Sequence, residues 1–208
     1  MDYLRLLTAC GILWAVAALT GQVITARRGE REDFSRPAGS AARGVWYNFT
    51  TAMLPWRKEA ARLHPGILTL GLIMHAGALF ALAEVIILVV APAIGERLLT
   101  GYWPVNLVAL VAGGGLLARR VGSGVLRSLS DPDDYLAIIA TCGLLGLSAA
   151  FPLAAGRATP LLAYSTLLFL YFPLGKLRHA VFFFLARAHY GRRLGLRGVY
   201  PPAEHSMD

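Results

Sequence analysis

His64-Pro-Gly-Ile-Leu-Thr-Leu-Gly-Leu-Ile-Met-His75-Ala-Gly-Ala-Leu-Phe-Ala-Leu-Ala-Glu84-Val-Ile-Ile-Leu-Val-Val-Ala-Pro92 decides the class of this protein. The run exceeds the roughly 20 apolar residues that cross a hydrocarbon core. It nevertheless carries two imidazoles and one carboxylate, groups that are costly at membrane depth unless ligated or paired. Working outward, four more apolar segments surround it, giving predicted spans at 3–25, 64–92, 103–118, 135–155 and 160–187. Only helices and closed barrels satisfy the backbone in lipid, and the period-2 alternation of a barrel strand is absent. The predicted fold is therefore all-α, an integral membrane five-helix bundle forming one domain over 1–208. Composition agrees: 56% of residues are hydrophobic, 15% are charged and the mean hydropathy is +0.56. The third span is the shortest, and its Gly113-Gly114-Gly115 run weakens a helix while permitting close packing.

The net charge of +8 is spread unevenly. Stretch 26–63 carries eight Lys/Arg and 119–134 carries three. Lys176, Arg178, Arg187, Arg192, Arg193 and Arg197 close the chain, and only Arg5, Arg97 and Arg157 fall on the other side. The positive-inside rule then predicts an N-terminus outside and a cytoplasmic C-terminus. These arginines flank spans, so the basic balance argues for lipid and not for nucleic acid. Met1-Asp2-Tyr3 lacks the basic start of a cleaved signal, and no small-x-small site follows the first span. Cys10 and Cys142 lie within spans and form no CxxC or CxxCH, which disfavours an iron–sulfur cluster, a covalently attached haem or a disulfide framework and leaves buried thiols.

The long polar connection, 26–63, begins as a loop from Arg27 to Arg43. It continues through Val45-Trp46-Tyr47-Asn48-Phe49 and Met53-Leu54-Pro55-Trp56-Arg57-Lys58. Aromatics interleaved with bases fit either a segment at headgroup level or a docking surface for a cytoplasmic subunit. Ser130-Asp131-Pro132-Asp133-Asp134 is a helix-start signal, with acids at the N-terminus of the fourth span. The basic tail, 188–208, follows the fifth span. No internal repeat is present, and no pair of broken helices marks a transporter's midplane site.

Three histidines are the candidate chemistry. His64 and His75 are eleven residues apart. On an unbroken helix that is three turns plus about 20°, one face, roughly 16 Å of rise. Spans two and five run antiparallel, and His179, eight residues before Arg187, lies about 12 Å inside the cytoplasmic end of the fifth by helix rise. His179 can thus pair with His64 or with His75 around a haem iron. Structural histidines bonded to a carbonyl are the plainer alternative, strongest for His64 beside Arg62. His189 and His205 lie in the basic tail and read as solvated, a His64–His189 pair being a route to a second haem. Two imidazoles on one iron leave no open coordination position, which favours electron transfer over oxygen chemistry. Glu84, the one carboxylate well inside a span, is about 14 Å beyond His75 by helix rise. It is a candidate proton acceptor for quinol oxidation; the plainer alternative is an ion pair with Arg97 or Arg157. Tyr102 and Trp103 read as interface anchors. Lys176 and Arg178 bracket His179 as candidate contacts to haem propionates, or as cations snorkelling to the surface.

His64-Pro-Gly-Ile-Leu-Thr-Leu-Gly-Leu-Ile-Met-His75 resembles the paired-histidine helix of respiratory nitrate reductase gamma subunits. Phe172-Pro173-Leu174-Gly175-Lys176-Leu177-Arg178-His179 resembles that family's closing Pro-Phe-Ser-Lys/Arg-Leu-x-His motif. Trp56-Arg57-Lys58-Glu59, Asp131-Pro132-Asp133-Asp134-Tyr135 and Phe182-Phe183-Phe184-Leu185-Ala186-Arg187 are closer to the branch associated with heterodisulfide-reductase-like and dissimilatory sulfite-reduction complexes. The resemblance implies a cytochrome b that passes electrons between membrane quinone and a cytoplasmic iron–sulfur partner. It also implies two stacked haems, the cytoplasmic one on His64 and His179, the outer one on His75 and a histidine early in the fifth span. Pro160-Leu161-Leu162-Ala163-Tyr164 contains no histidine. The expectation is therefore one haem b with His179 as a ligand, its partner either His64 or His75. The rival readings are the cytochrome b of a membrane hydrogenase or formate dehydrogenase, and a haem-free membrane anchor or scaffold subunit.

Overall fold

The structure is a computed structural model and describes residues 2–29, 36–57, 59–154 and 158–202. It runs α1 (Asp2–Arg28), α2 (Ala41–Phe49), α3 (Glu59–Leu63), α4 (Pro65–Val90), α5 (Pro92–Gly122), α6 (Gly124–Ser128), α7 (Pro132–Ala149), α8 (Thr159–Tyr171) and α9 (His179–Leu196). Among the described residues there is no strand, as the all-α expectation requires. Helices α1, α4 and α5 are each long and apolar enough to cross a membrane, and α4 is the most apolar of them. A fourth crossing results if α8 and Lys176–Leu196 count as one broken span. The chain divides into two compact units, one from Met1–Leu19 and Gly66–Leu177, the other from Thr20–Pro65 and Arg178–Asp208.

In the first unit, Ala81, Val85 and Leu88 of α4 join a core with Leu99 and Ala109 of α5, Leu144 and Leu145 of α7, and Leu161, Leu162 and Phe169 of α8. Other apolar side chains of the same helices, among them Leu13, Leu72, Leu79, Val108 and Val111, face outward. A helix apolar all round fits a hydrocarbon surround. There, outward leucines cost nothing and helix association falls to packing and interhelical hydrogen bonds. The bonds are visible between α1 and α8. The Thr8 hydroxyl donates to the Leu4 carbonyl at 2.8 Å and lies 3.0 Å from the Thr166 hydroxyl. Trp14 Nε1 donates to the Leu170 carbonyl at 3.3 Å.

Helix α5 is longer than the predicted third span, 31 residues against a segment starting at 103. It starts at Pro92, where a proline at the first helical position costs no hydrogen bond. Interior glycine costs about 1 kcal/mol, but Gly113 permits close packing here. A Cβ built on it would lie 2.8 Å from Cys142 Sγ and 3.3 Å from Met74 Cγ. Gly95 has the same role in the tight α4–α5 hairpin, where a Cβ would sit 2.8 Å from Leu88 Cβ. The helix-start signal at Asp131 is realised as a capping box. Asp131 accepts from the Asp134 N–H at 3.1 Å, Asp134 accepts from the Asp131 N–H at 3.1 Å, and Pro132 opens α7.

The predicted fifth span is not one helix. It breaks over residues 172–175, because Pro173 has no N–H to donate and its ring opposes continuation of the helix. The Lys176 N–H donates to Asp133 Oδ2 at 2.8 Å, the Tyr171 hydroxyl donates to Asp133 Oδ1, and Gly175 makes room for the Tyr171 ring. A short 3-10 turn, Lys176–Arg178, then leads into α9. The depth assigned to His179 by counting back along an unbroken helix therefore does not carry over.

The second unit is organised by α2 and α9. Ala38 and Gly39 N–H groups donate to the Leu196 carbonyl at 2.8 and 3.1 Å, while Asn48 meets Arg187, so the helices run antiparallel. Their contact is backbone on backbone. A Cβ on Gly195 would lie 2.5 Å from the Ser40 carbonyl oxygen, and one on Gly191 would lie 2.7 Å from Val45 Cα. Gly191-x-x-x-Gly195, with Gly44 opposite, is a small-residue seam of the type that lets helices approach closely. Part of the stretch predicted as loop up to Arg43 is thus helix, started by Ser40, whose hydroxyl accepts from the Arg43 N–H at 3.4 Å.

Candidate functional site

His75 lies on α4, exposed between the outward-facing Leu72 and Leu79 and not turned into the core. Its Nδ1 is 2.6 Å from the Gly71 carbonyl oxygen, which can only accept, so Nδ1 carries the hydrogen. The acceptor nitrogen is then Nε2, the arrangement in which a hydrogen bond on one ring nitrogen directs the other toward a ligand.

His64 is exposed and lies between α3 and α4, outside regular helix. The residue before a proline is driven from the α region, and Pro65 follows directly. The helical register that put His64 and His75 on one face therefore does not extend to His64. His179 is exposed and opens α9. His64 and His179 belong to the second unit and His75 to the first. His189 is exposed on α9 with its ring 5.9 Å from that of Tyr190. His205 lies outside the described residues.

Within the second unit, the C-terminal part of α1 and the start of α9 line a cavity of about 760 Å³. Its walls are Gly21, Gln22, Thr25, Ala26, Arg178 and Phe182. A Cβ on Gly21 would meet nothing within 4 Å, so that wall is open. Arg178 and Phe182 are four residues apart, hence on one helical face, and His179 sits beside that face in sequence. The cavity thus combines small walls, the polar side chains of Gln22 and Thr25, one aromatic ring and one guanidinium. That set suits a flat, largely apolar molecule with an anionic edge.

Lys176, the other cation proposed beside His179, is engaged in the first unit. Its Nζ lies 2.7 Å from Asp131 Oδ2 and 2.9 Å from Asp134 Oδ1. The Lys176 ammonium holds both carboxyls below the usual carboxylate range, chiefly by hydrogen bonding to them. Its charge is matched within the chain, which leaves Arg178 as the cation lining a cavity.

Glu84 is 1% exposed, and its partner is Asn106, not Arg97. Arg97 is exposed, and Arg157 lies outside the described residues. Asn106 Nδ2 donates to Glu84 Oε2 at 2.7 Å. At that burial the carboxyl does not reach the surface, as an acceptor in an open quinol pocket would.

Two arrangements were missed by the sequence reading. Asn106 is a second strongly polar side chain inside an apolar span, which is a readable signal. The clasp between Asn48 and Arg187 was the other. Asn48 Nδ2 donates to the Arg187 carbonyl at 2.7 Å, and Arg187 Nη1 donates to Asn48 Oδ1 at 2.6 Å and to its carbonyl at 3.0 Å. The same guanidinium lies 5.5 Å from the centre of the Phe183 ring. The Gly191–Gly195 spacing was the available clue to this pairing.

No family model matches the chain, nor does a curated protein or a solved structure.

Proposed function

We propose that this chain is a haem b-containing membrane subunit that passes electrons between membrane quinone and a cytoplasmic iron–sulfur partner. The observation that carries the reading is that His64, His75 and His179 are all exposed, His75 on the strongly apolar α4, His64 directly before it and His179 at the start of α9. A histidine within or beside an apolar span is a candidate ligand, and His75 fixes its ring by the bond from Nδ1 to the Gly71 carbonyl. The resemblance of 64–75 and 172–179 to the nitrate reductase gamma subunits names haem b as the group to be held. It points to the branch that serves heterodisulfide-reductase-like and sulfite-reduction complexes.

His179 would be one ligand to the haem iron, and the second would be His64 or His75. Membership of one unit with His179 favours His64. Arg178 and the open wall at Gly21 suit the propionate edge and the apolar ring. When bound, the haem supplies one-electron exchange, and two imidazoles exclude other ligands from the iron. The chain's own contribution is to orient the imidazoles, neutralise the anionic edge and keep water from the ring. The proposed crossings are the five predicted spans, of which α1, α4 and α5 are each long and apolar enough alone and the fifth is broken between α8 and α9. On this proposal the N-terminus is outside and the C-terminus in the cytoplasm, because the lysines and arginines gather at one set of predicted ends.

Pyridine haemochrome assay of the purified chain tests the reading. The expected result is haem b at one per chain, lost in His179→Ala and in one of His64→Ala and His75→Ala. A folded, colourless wild type overturns it and leaves the anchor or scaffold reading.

A further inference from the structure

Glu84 and Asn106 form a buried carboxyl–carboxamide pair across the α4–α5 hairpin, 1% and 0% exposed. One hydrogen bond joins them, from Asn106 Nδ2 to Glu84 Oε2 at 2.7 Å. The other oxygen of each group, Glu84 Oε1 and Asn106 Oδ1, is buried with no hydrogen-bond partner among the described residues. Among the described residues of the first unit, no cation pairs with the carboxyl. Arg5 pairs with Asp2 and Glu96, Arg120 with Asp134, and Lys176 with Asp131 and Asp134. Arg97, Arg119 and Arg127 are exposed. Of the titratable side chains packed in the bundle, Tyr164 donates its hydroxyl to the Ala140 carbonyl at 2.9 Å, and Cys142 lies against Gly113.

An ionised Glu84 would be a bare negative charge held by one amide N–H, with two acceptor oxygens left unsatisfied in a low-dielectric interior. A hydrogen on Oε1 removes all three difficulties together. The amide N–H already donates to Oε2, and a carboxyl O–H would have Asn106 Oδ1 as its acceptor, so that the two groups would close a ring of two hydrogen bonds. An amide is suited to this because one edge offers both a donor and an acceptor. We propose that Glu84 and Asn106 constitute a proton-binding site in which Glu84 holds a hydrogen at neutral pH, closed into a neutral acid–amide ring. The site stands independently of the haem reading. It makes Asn106 the positioning residue that keeps the hydrogen inside the bundle, so that release requires the α4–α5 contact to part.

Infrared spectroscopy of the full chain in lipid bilayers at neutral pH tests this. The wild type should show a carbonyl band of a protonated carboxyl that shifts in D2O and shifts again with ¹³C-labelled glutamate. Labelling marks all six glutamates, so the band is assigned to the buried site by its response to the Glu84 and Asn106 substitutions. The band should vanish in Glu84→Gln, which preserves the ring as an amide pair, and move to higher frequency in Asn106→Ala. The labelling experiment stands even where a variant does not fold. A wild type with only ionised-carboxylate glutamate bands overturns the proposal, as does a protonated band indifferent to either substitution.

Discussion

The two units of this chain stabilise helix contacts by different means. The first carries seven Lys/Arg against six Asp/Glu, and its helices are joined by interlocking leucines with a few buried polar bonds. The second carries thirteen Lys/Arg against six Asp/Glu, and its central contact is two glycine-bearing backbones clasped by Asn48 and Arg187. The first can present leucine outward because lipid does not penalise it. The second presents Trp46, Trp56 and Tyr190 on a chain segment rich in arginine, a composition suited to a headgroup or protein surface. Close backbone approach replaces side-chain burial where large side chains would otherwise have to face water.

Substitutions should respect that division. Leu145→Ala empties a fully buried position and should cost about 3 kcal/mol. Hydrogen exchange should rise in α4, α5 and α7 while α2 and the second half of α9 keep their protection. Gly195→Val drives a branched side chain into the Ser40 carbonyl and should cost about 2 kcal/mol or more, with the opposite pattern of exchange. If both variants loosen both units equally, the division into two contact types fails. Asn48→Ala removes one amide from a three-bond clasp and should cost about 1.5 kcal/mol, read as a lower thermal midpoint of the second unit alone.

The smallest effect is that of pH on the Asp131–Asp134–Lys176 cluster. Both carboxyls are held low by Lys176, so their contribution is complete above the usual carboxylate range. It is lost as pH falls through their lowered values. Asp131 is exposed and Asp134 and Lys176 are half-buried at the surface, where solvent screens them, so a melting series from neutral to strongly acid pH should show a slight drop, absent in Lys176→Met. A drop of the same size in Lys176→Met would assign the acid sensitivity elsewhere.

Much of the first unit was readable because its signals are local. Apolar runs, the Asp131-Pro132 helix start and the segregation of arginines each act within a few residues of themselves. The break at Pro173 was readable in principle, since proline cannot donate, but the apolar content on both sides argued for one span. The α2–α9 seam was not read, because glycine is neutral in a hydropathy scan and acquires meaning only from what lies opposite. Gly44 and Gly195 are separated by most of the chain yet meet face to face.

The sequence by itself determined an all-helical chain with membrane-length apolar helices, a capped start to α7 and a basic C-terminal half of the second unit. These follow from hydrophobic length, capping chemistry and charge, which need no partner. Only the tertiary structure decided that Glu84 meets Asn106, that Arg187 is consumed by Asn48, and that Arg178 rather than Lys176 faces a cavity. Those outcomes depend on which of several chemically equivalent groups comes within about 3 Å of another, and that distance is set by packing across the chain and not by the identity of either residue alone.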